Sequence, residues 1–111
     1  MQFRPMGKPL DPSNTHRISR ADAVAAARRH REAGPPGRRD CGAFNAKAIL
    51  ELLAQPGCVG LRYYHGRTDK GEPSMILVGV DADGNNMTSG ILMNQDLPCP
   101  PYCPYPDDLD A

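Results

Sequence analysis

Apolar and polar residues alternate along this chain in two different periods, and the change falls near residue 58. Before it the spacing is helical. "ADAVAAARRHREAG" offers strong helix formers from Ser19 onward, with a thin apolar face of Ile18, Ala21, Val24, Ala25 and Ala27. Ser19 suits the cap, and Asp22 stands where a capping box places its carboxylate. Gly34-Pro35-Pro36-Gly37 ends the helix. A second helix is predicted over about residues 43–54, where Phe44, Ala48 and Leu52 recur at four-residue spacing with Ile49 and Leu53 beside them. This helix carries the stronger apolar face and is expected to form the core. With Asp40 as its cap, Cys41 would lie in the first turn, where unpaired amides favour a thiolate.

After Cys58 the period becomes two. "VGLRYYHG" puts Val59, Leu61, Tyr63 and His65 on one face and Arg62 and Tyr64 on the other. "PSMILVGV" is a nearly continuous apolar strand, and "TDKGE" between them makes the pair a hairpin. Asp83-Gly84 in "DADGN" suits a second tight reversal, and "MTSGILM" supplies a third strand. Two N-terminal helices packed on a small antiparallel three-stranded sheet define an α+β fold. The expected organisation is an extended arm over 1–17, one domain over 18–106 and an acidic tail over 107–111. Pro5, Pro9 and Pro12 keep the arm irregular, while Phe3, Met6 and Leu10 can dock it.

Composition narrows the class. With 111 residues the chain has room for one modest core. Gly and Pro number 11 and 12, well above the roughly 12 % combined share of an average chain. They cluster at 34–42, 56–60 and 98–106 without a period, which indicates stiff connections in a folded domain. Formal charge is zero, yet residues 1–50 carry ten Lys/Arg against four Asp/Glu and residues 51–111 carry three against nine. Mutual attraction of the two halves, within the fold or between subunits, accounts for that polarity more simply than an acidic ligand does. A neutral chain with no dense basic run is a poor nucleic-acid binder. No apolar leader or membrane-length span follows Met1, so a cytoplasmic location is expected, which in turn weakens the case for disulfides.

Four cysteines carry the candidate chemistry: Cys41, Cys58, Cys99 and Cys103. Four thiolates are the number tetrahedral zinc takes, and prolines between Cys99 and Cys103 would preorganise that pair. An iron–sulfur cluster is the less favoured variant, because the standard spacings are missing. One or two disulfides, or separate buried thiols, satisfy the same residues. Arg62, Tyr63, Tyr64 and His65 form the most site-like polar and aromatic group, and His65 near Cys41 or Cys58 would make a nucleophile pair. "DADGN" fails as a calcium loop, since position twelve from Asp81 is Leu92 and not a bidentate Glu.

The blocks "CGAFNAKAILELLAQPGCVGLRYY", "ILVGVDADGNNM" and "PCPPYC", within residues 41–103, resemble a group of small bacterial proteins of uncharacterised activity that carry a CPPYC-type C-terminal motif. The resemblance implies no activity and no site residue. The expectation is therefore a small binding or assembly protein with a cysteine-stabilised C-terminal wrap and possible structural zinc. A protein partner or self-association is expected, through the Tyr63–Tyr64 strand or the Ala-rich helix. The alternative is a small redox or metal-dependent enzyme using Cys41 or Cys58 with His65.

Overall fold

The computed structural model describes residues 7–36, 38–104 and 107–109. Phe3 and Met6, expected to help dock the arm, lie outside these residues, as do Tyr105, Pro106 and the end of the acidic tail. The element order is α1 (Arg20–Ala33), β1 (Cys41–Ala43), α2 (Ala46–Leu53), β2 (Gly60–Arg67), β3 (Pro73–Val80), β4 (Leu92–Met93) and β5 (Leu97–Cys99). Two helices and an antiparallel β2-β3-β4 sheet give the α+β fold that the sequence predicts. The chain forms two compact units: Met1–Ser13 with Phe44–Gln95, and Asn14–Ala43 with Asp96–Ala111.

The first unit holds the sheet. β2 and β3 pair along their whole length, from Gly60 opposite Val80 to Arg67 opposite Pro73. β3 is the inner strand, and its Leu77, Val78 and Val80 are buried. That explains the apolar run at its C-terminal end, where the adjacent Leu77 and Val78 point to opposite faces, both are buried, and β2 and β4 pair on either edge. α2 packs against β2 and β3 and contributes Leu52, which has no solvent exposure. Its cap is Asn45, whose side chain accepts from the Ala48 amide at 2.8 Å. Asp40 is therefore not the cap, and Cys41 sits in β1 and not in a helical turn. Asn45 takes the role because it directly precedes the apolar stretch with the required extended backbone.

Gln55 finishes α2 and ties it to the third strand: its side chain donates to the Leu52 carbonyl and accepts from the Ile91 amide, each at 2.8 Å. The "DADGN" segment is a turn. Asp81 Oδ1 accepts from the amides of Asp83 and Asn85, and the Gly84 amide donates to the Asp81 carbonyl. Gly84 has φ 83°, and a Cβ there would collide with the Lys8 backbone. Glycine is required on both counts, and the turn seats the arm. The Leu10 side chain lies against Gly60.

The second unit contains α1 and a short antiparallel ribbon of β1 and β5 that periodicity does not reveal. Ser19 caps α1 as predicted, its hydroxyl accepting from the Asp22 amide at 3.0 Å. No α1 residue is buried, in keeping with its thin apolar face. Two basic side chains of the helix reach the acidic tail: Arg20 pairs with Asp108, and Arg31 donates to the Leu109 carbonyl. Arg38 and Asp40 form an ion pair at 2.8 Å whose N–H is poorly aligned for a hydrogen bond.

Candidate functional site

The cysteines resolve into a disulfide and two thiols. Cys99 and Cys103 are bonded to each other, with Cα atoms 4.8 Å apart, and Cys41 and Cys58 keep their thiols. The turn between the bonded pair is closed by the Tyr102 amide donating to the Pro98 carbonyl at 2.9 Å. Cys99 is buried, while Cys41 and Cys103 are exposed. Cys41 belongs to the same ribbon, directly opposite Cys99 in the β1–β5 register. Cys58 belongs to the other unit, where its thiol donates to the Gly60 carbonyl at 3.1 Å and fills the space above Gly79.

This overturns the expected zinc or iron–sulfur centre. Among the described residues no group of three His, Cys, Asp or Glu can hold a metal ion. The reason is chemical. Two of the four proposed ligands, Cys99 and Cys103, spend their sulfurs on each other, and metal ligation needs thiolates. Cys58 points its thiol into its own strand start.

The second candidate group, Arg62 to His65, occupies the middle of β2. Arg62 and Tyr64 share one face and are joined through Asn86. Arg62 Nη1 donates to Asn86 Oδ1 at 2.6 Å and to the Gly84 carbonyl at 3.2 Å, and Asn86 Nδ2 donates to the Tyr64 hydroxyl at 2.6 Å. On the opposite face the Tyr63 and His65 rings meet edge to face, with centroids 5.7 Å apart. No hydrogen bond joins His65 to Cys58 among the described residues; the thiol is engaged by Gly60. Asn86 is the member that sequence reading misses, because a lone Asn after a turn carries no pattern.

Backbone geometry adds what the side chains do not. The Thr68 amide donates to the Glu72 carbonyl at 2.8 Å. Hydrogen-bonded pairs in an antiparallel ladder recur every second residue. Even-numbered residues of β2 therefore turn their amides and carbonyls toward β3. Leu61, Tyr63, His65 and Arg67 turn theirs to the other edge, where no strand pairs with β2 among the described residues. Tyr63 and Tyr64 are 57 % and 44 % exposed, so this edge is also aromatic.

No family model, curated protein or solved structure matches the chain. Among the described residues no helix is long and apolar enough to cross a membrane.

Proposed function

We propose that this is a small non-catalytic assembly protein whose β2 edge pairs with a second copy of the chain, the C-terminal segment being fastened by Cys99–Cys103. The observation that carries the proposal is the eight-residue edge with outward backbone groups at Leu61, Tyr63, His65 and Arg67. Such edges pair with other chains unless they are guarded, usually by charge, proline or a bulge. Here both strand arginines are engaged at home. Arg62 is held by Gly84 and Asn86, and Arg67 donates to the Gly71 carbonyl at 3.0 Å.

A two-fold axis through Tyr64 gives a self-complementary register. Tyr63 then faces the partner's His65, Tyr64 the partner's Tyr64, Arg62 the partner's Gly66, and Leu61 the partner's Arg67. No two like charges stand opposite, and the Tyr–His edge contact already present within β2 is repeated across the junction. Four outward pairs exchange about eight hydrogen bonds at ~1 kcal/mol net each. Set against an association cost of ~4 kcal/mol, this leaves ~4 kcal/mol, a dissociation constant of about a millimolar.

Sedimentation equilibrium from about a tenth of a millimolar to several millimolar tests the reading. The expected result is a mass rising from 12.0 kDa toward twice that value. Tyr64→Lys sets two ammonium groups against each other across the axis and should weaken the dimer at least about tenfold with the circular dichroism unchanged. Amide exchange provides a second measurement on the unmodified chain: the amides of Leu61, Tyr63, His65 and Arg67 should slow as concentration rises. A monomer throughout, with those amides indifferent to concentration, would refute the proposal.

A further inference from the structure

The β1–β5 ribbon brings a third sulfur to the disulfide. Cys41 and Cys99 are register partners on adjacent antiparallel strands. Directly opposite residues project to the same face, with Cα atoms ~4.5–5.5 Å apart, which lies inside the ~4.4–6.8 Å range that a disulfide spans. Two supports fix this placement independently of the sulfurs. The Asp40 amide donates to the Cys99 carbonyl at 2.8 Å, and Arg39 Nη1 donates to the Pro100 carbonyl at 3.1 Å. The segment before Cys41 and the segment after Cys99 are thus held together on one ribbon. Cys99 is buried and sheltered from thiols in solution, whereas Cys103 is exposed and Cys41 is already beside Cys99.

We propose that Cys41, Cys99 and Cys103 form an intrachain thiol–disulfide exchange site, in which the Cys41 thiolate attacks Cys99 Sγ and releases Cys103. The step is balanced within the chain. The Cys41–Cys99 S–S bond forms as the Cys99–Cys103 bond breaks, the proton lost by the Cys41 thiol ends on the Cys103 thiolate, and no external oxidant or reductant is consumed. Cys99 is the central sulfur, bonded in both states. Cys41 and Cys103 are the alternates, and both are exposed. In the second state the cross-strand bond staples the ribbon, and the C-terminal segment from Cys103 onward loses its covalent fastening and gains an accessible thiol. A small or protein disulfide would then meet the Cys103 thiolate on a terminal segment, which attacks one of its sulfurs to form a mixed disulfide as the other sulfur leaves as a thiolate.

The test is a disulfide map of the whole chain against time. Protein held at acidic pH, where exchange stalls, is moved to mildly alkaline buffer without reductant. It is alkylated at intervals with N-ethylmaleimide, digested and sequenced by mass spectrometry. The expected result is growing Cys103 labelling with a matching Cys41–Cys99 peptide, at a rate independent of protein concentration. Cys41→Ser should lower Cys103 labelling at least about tenfold, while Cys58→Ser leaves it unchanged. A Cys103→Ser chain treated with oxidised glutathione should close Cys41–Cys99 and retain no glutathione. Labelling confined to Cys41 and Cys58 throughout would overturn the proposal. So would a Cys41–Cys103 product, which would make Cys103 the acceptor, or a stable glutathione adduct on Cys103→Ser.

Discussion

At the scale of single residues, two small side chains decide more than the large ones. Gly84 combines a left-handed backbone with the passage of Lys8, so Gly84→Ala meets strain and a collision together. It should cost about 2 kcal/mol or more, since the left-handed conformation alone accounts for ~1. Urea unfolding measures that loss, and limited proteolysis with a protease of broad specificity should show faster cutting across residues 7–13. Asn86 accepts from Arg62 and donates to Tyr64, so Asn86→Ala strips both at once. The expected loss is about 1–2 kcal/mol, with the Tyr64 hydroxyl released to solvent. Urea unfolding measures the loss, and unchanged stability would contradict the bridge. The Asp-Gly turn could be read from the sequence because its chemistry is local. The Asn86 bridge could not, because Arg62 lies more than twenty residues away and nothing in either sequence neighbourhood names the other.

Elements divide the same way. α2 and the β2–β3 hairpin follow from periodicity because each buries a regular apolar face, and Leu52 is where the two faces meet. Leu52→Ala should cost about 2–5 kcal/mol, with the upper half expected since the side chain is wholly buried and the helix is only eight residues long. Thermal unfolding would check this, and a loss under 1 kcal/mol would mean that the core lies elsewhere. Removing the Asn45 cap with Asn45→Ala should cost about 1 kcal/mol by the same assay, while Asp40→Ala leaves the α2 helix signal intact. The β1–β5 ribbon escaped notice for a physical reason. Each strand has three residues, too short for a period, and the register is set by pairing across the sequence and not by a buried face. Its cysteines were legible as residues and illegible as partners, and the metal reading failed because count alone cannot say which sulfurs bond.

Over the whole molecule, the charge asymmetry of the two halves has a local expression in the second unit, where Arg20 and Arg31 of α1 meet Asp108 and Leu109. Both members of the Arg20–Asp108 pair are largely exposed, so its contribution is small and falls with salt. Arg20→Ala should leave unfolding unchanged within about 0.5 kcal/mol, whereas a Cys99→Ser, Cys103→Ser chain should be measurably weaker. A closed loop of so few residues confers about 2 kcal/mol in the chain-entropy picture, while a bond from Cys41 to Cys99 would confer about 4. A comparison of oxidised and reduced protein in urea would read this difference.

The division of the chain carries one more consequence, in the order of folding. The second unit is interrupted in sequence: Phe44–Gln95 belongs wholly to the first, and Ala43 and Leu97 on either side of it are register partners in the ribbon. Pairing them from an unfolded chain means closing a loop of more than fifty residues for a ladder only three pairs long, a poor exchange of entropy for contacts. Once α2 and the β2–β3–β4 sheet have formed, most of the intervening chain is already ordered and much of that entropy cost has been met. The sheet of the first unit should therefore acquire its amide protection in the earliest refolding phase, with the ribbon following. A nascent chain would make Cys41 long before Cys99, leaving it a thiol in waiting while the intervening sheet assembles.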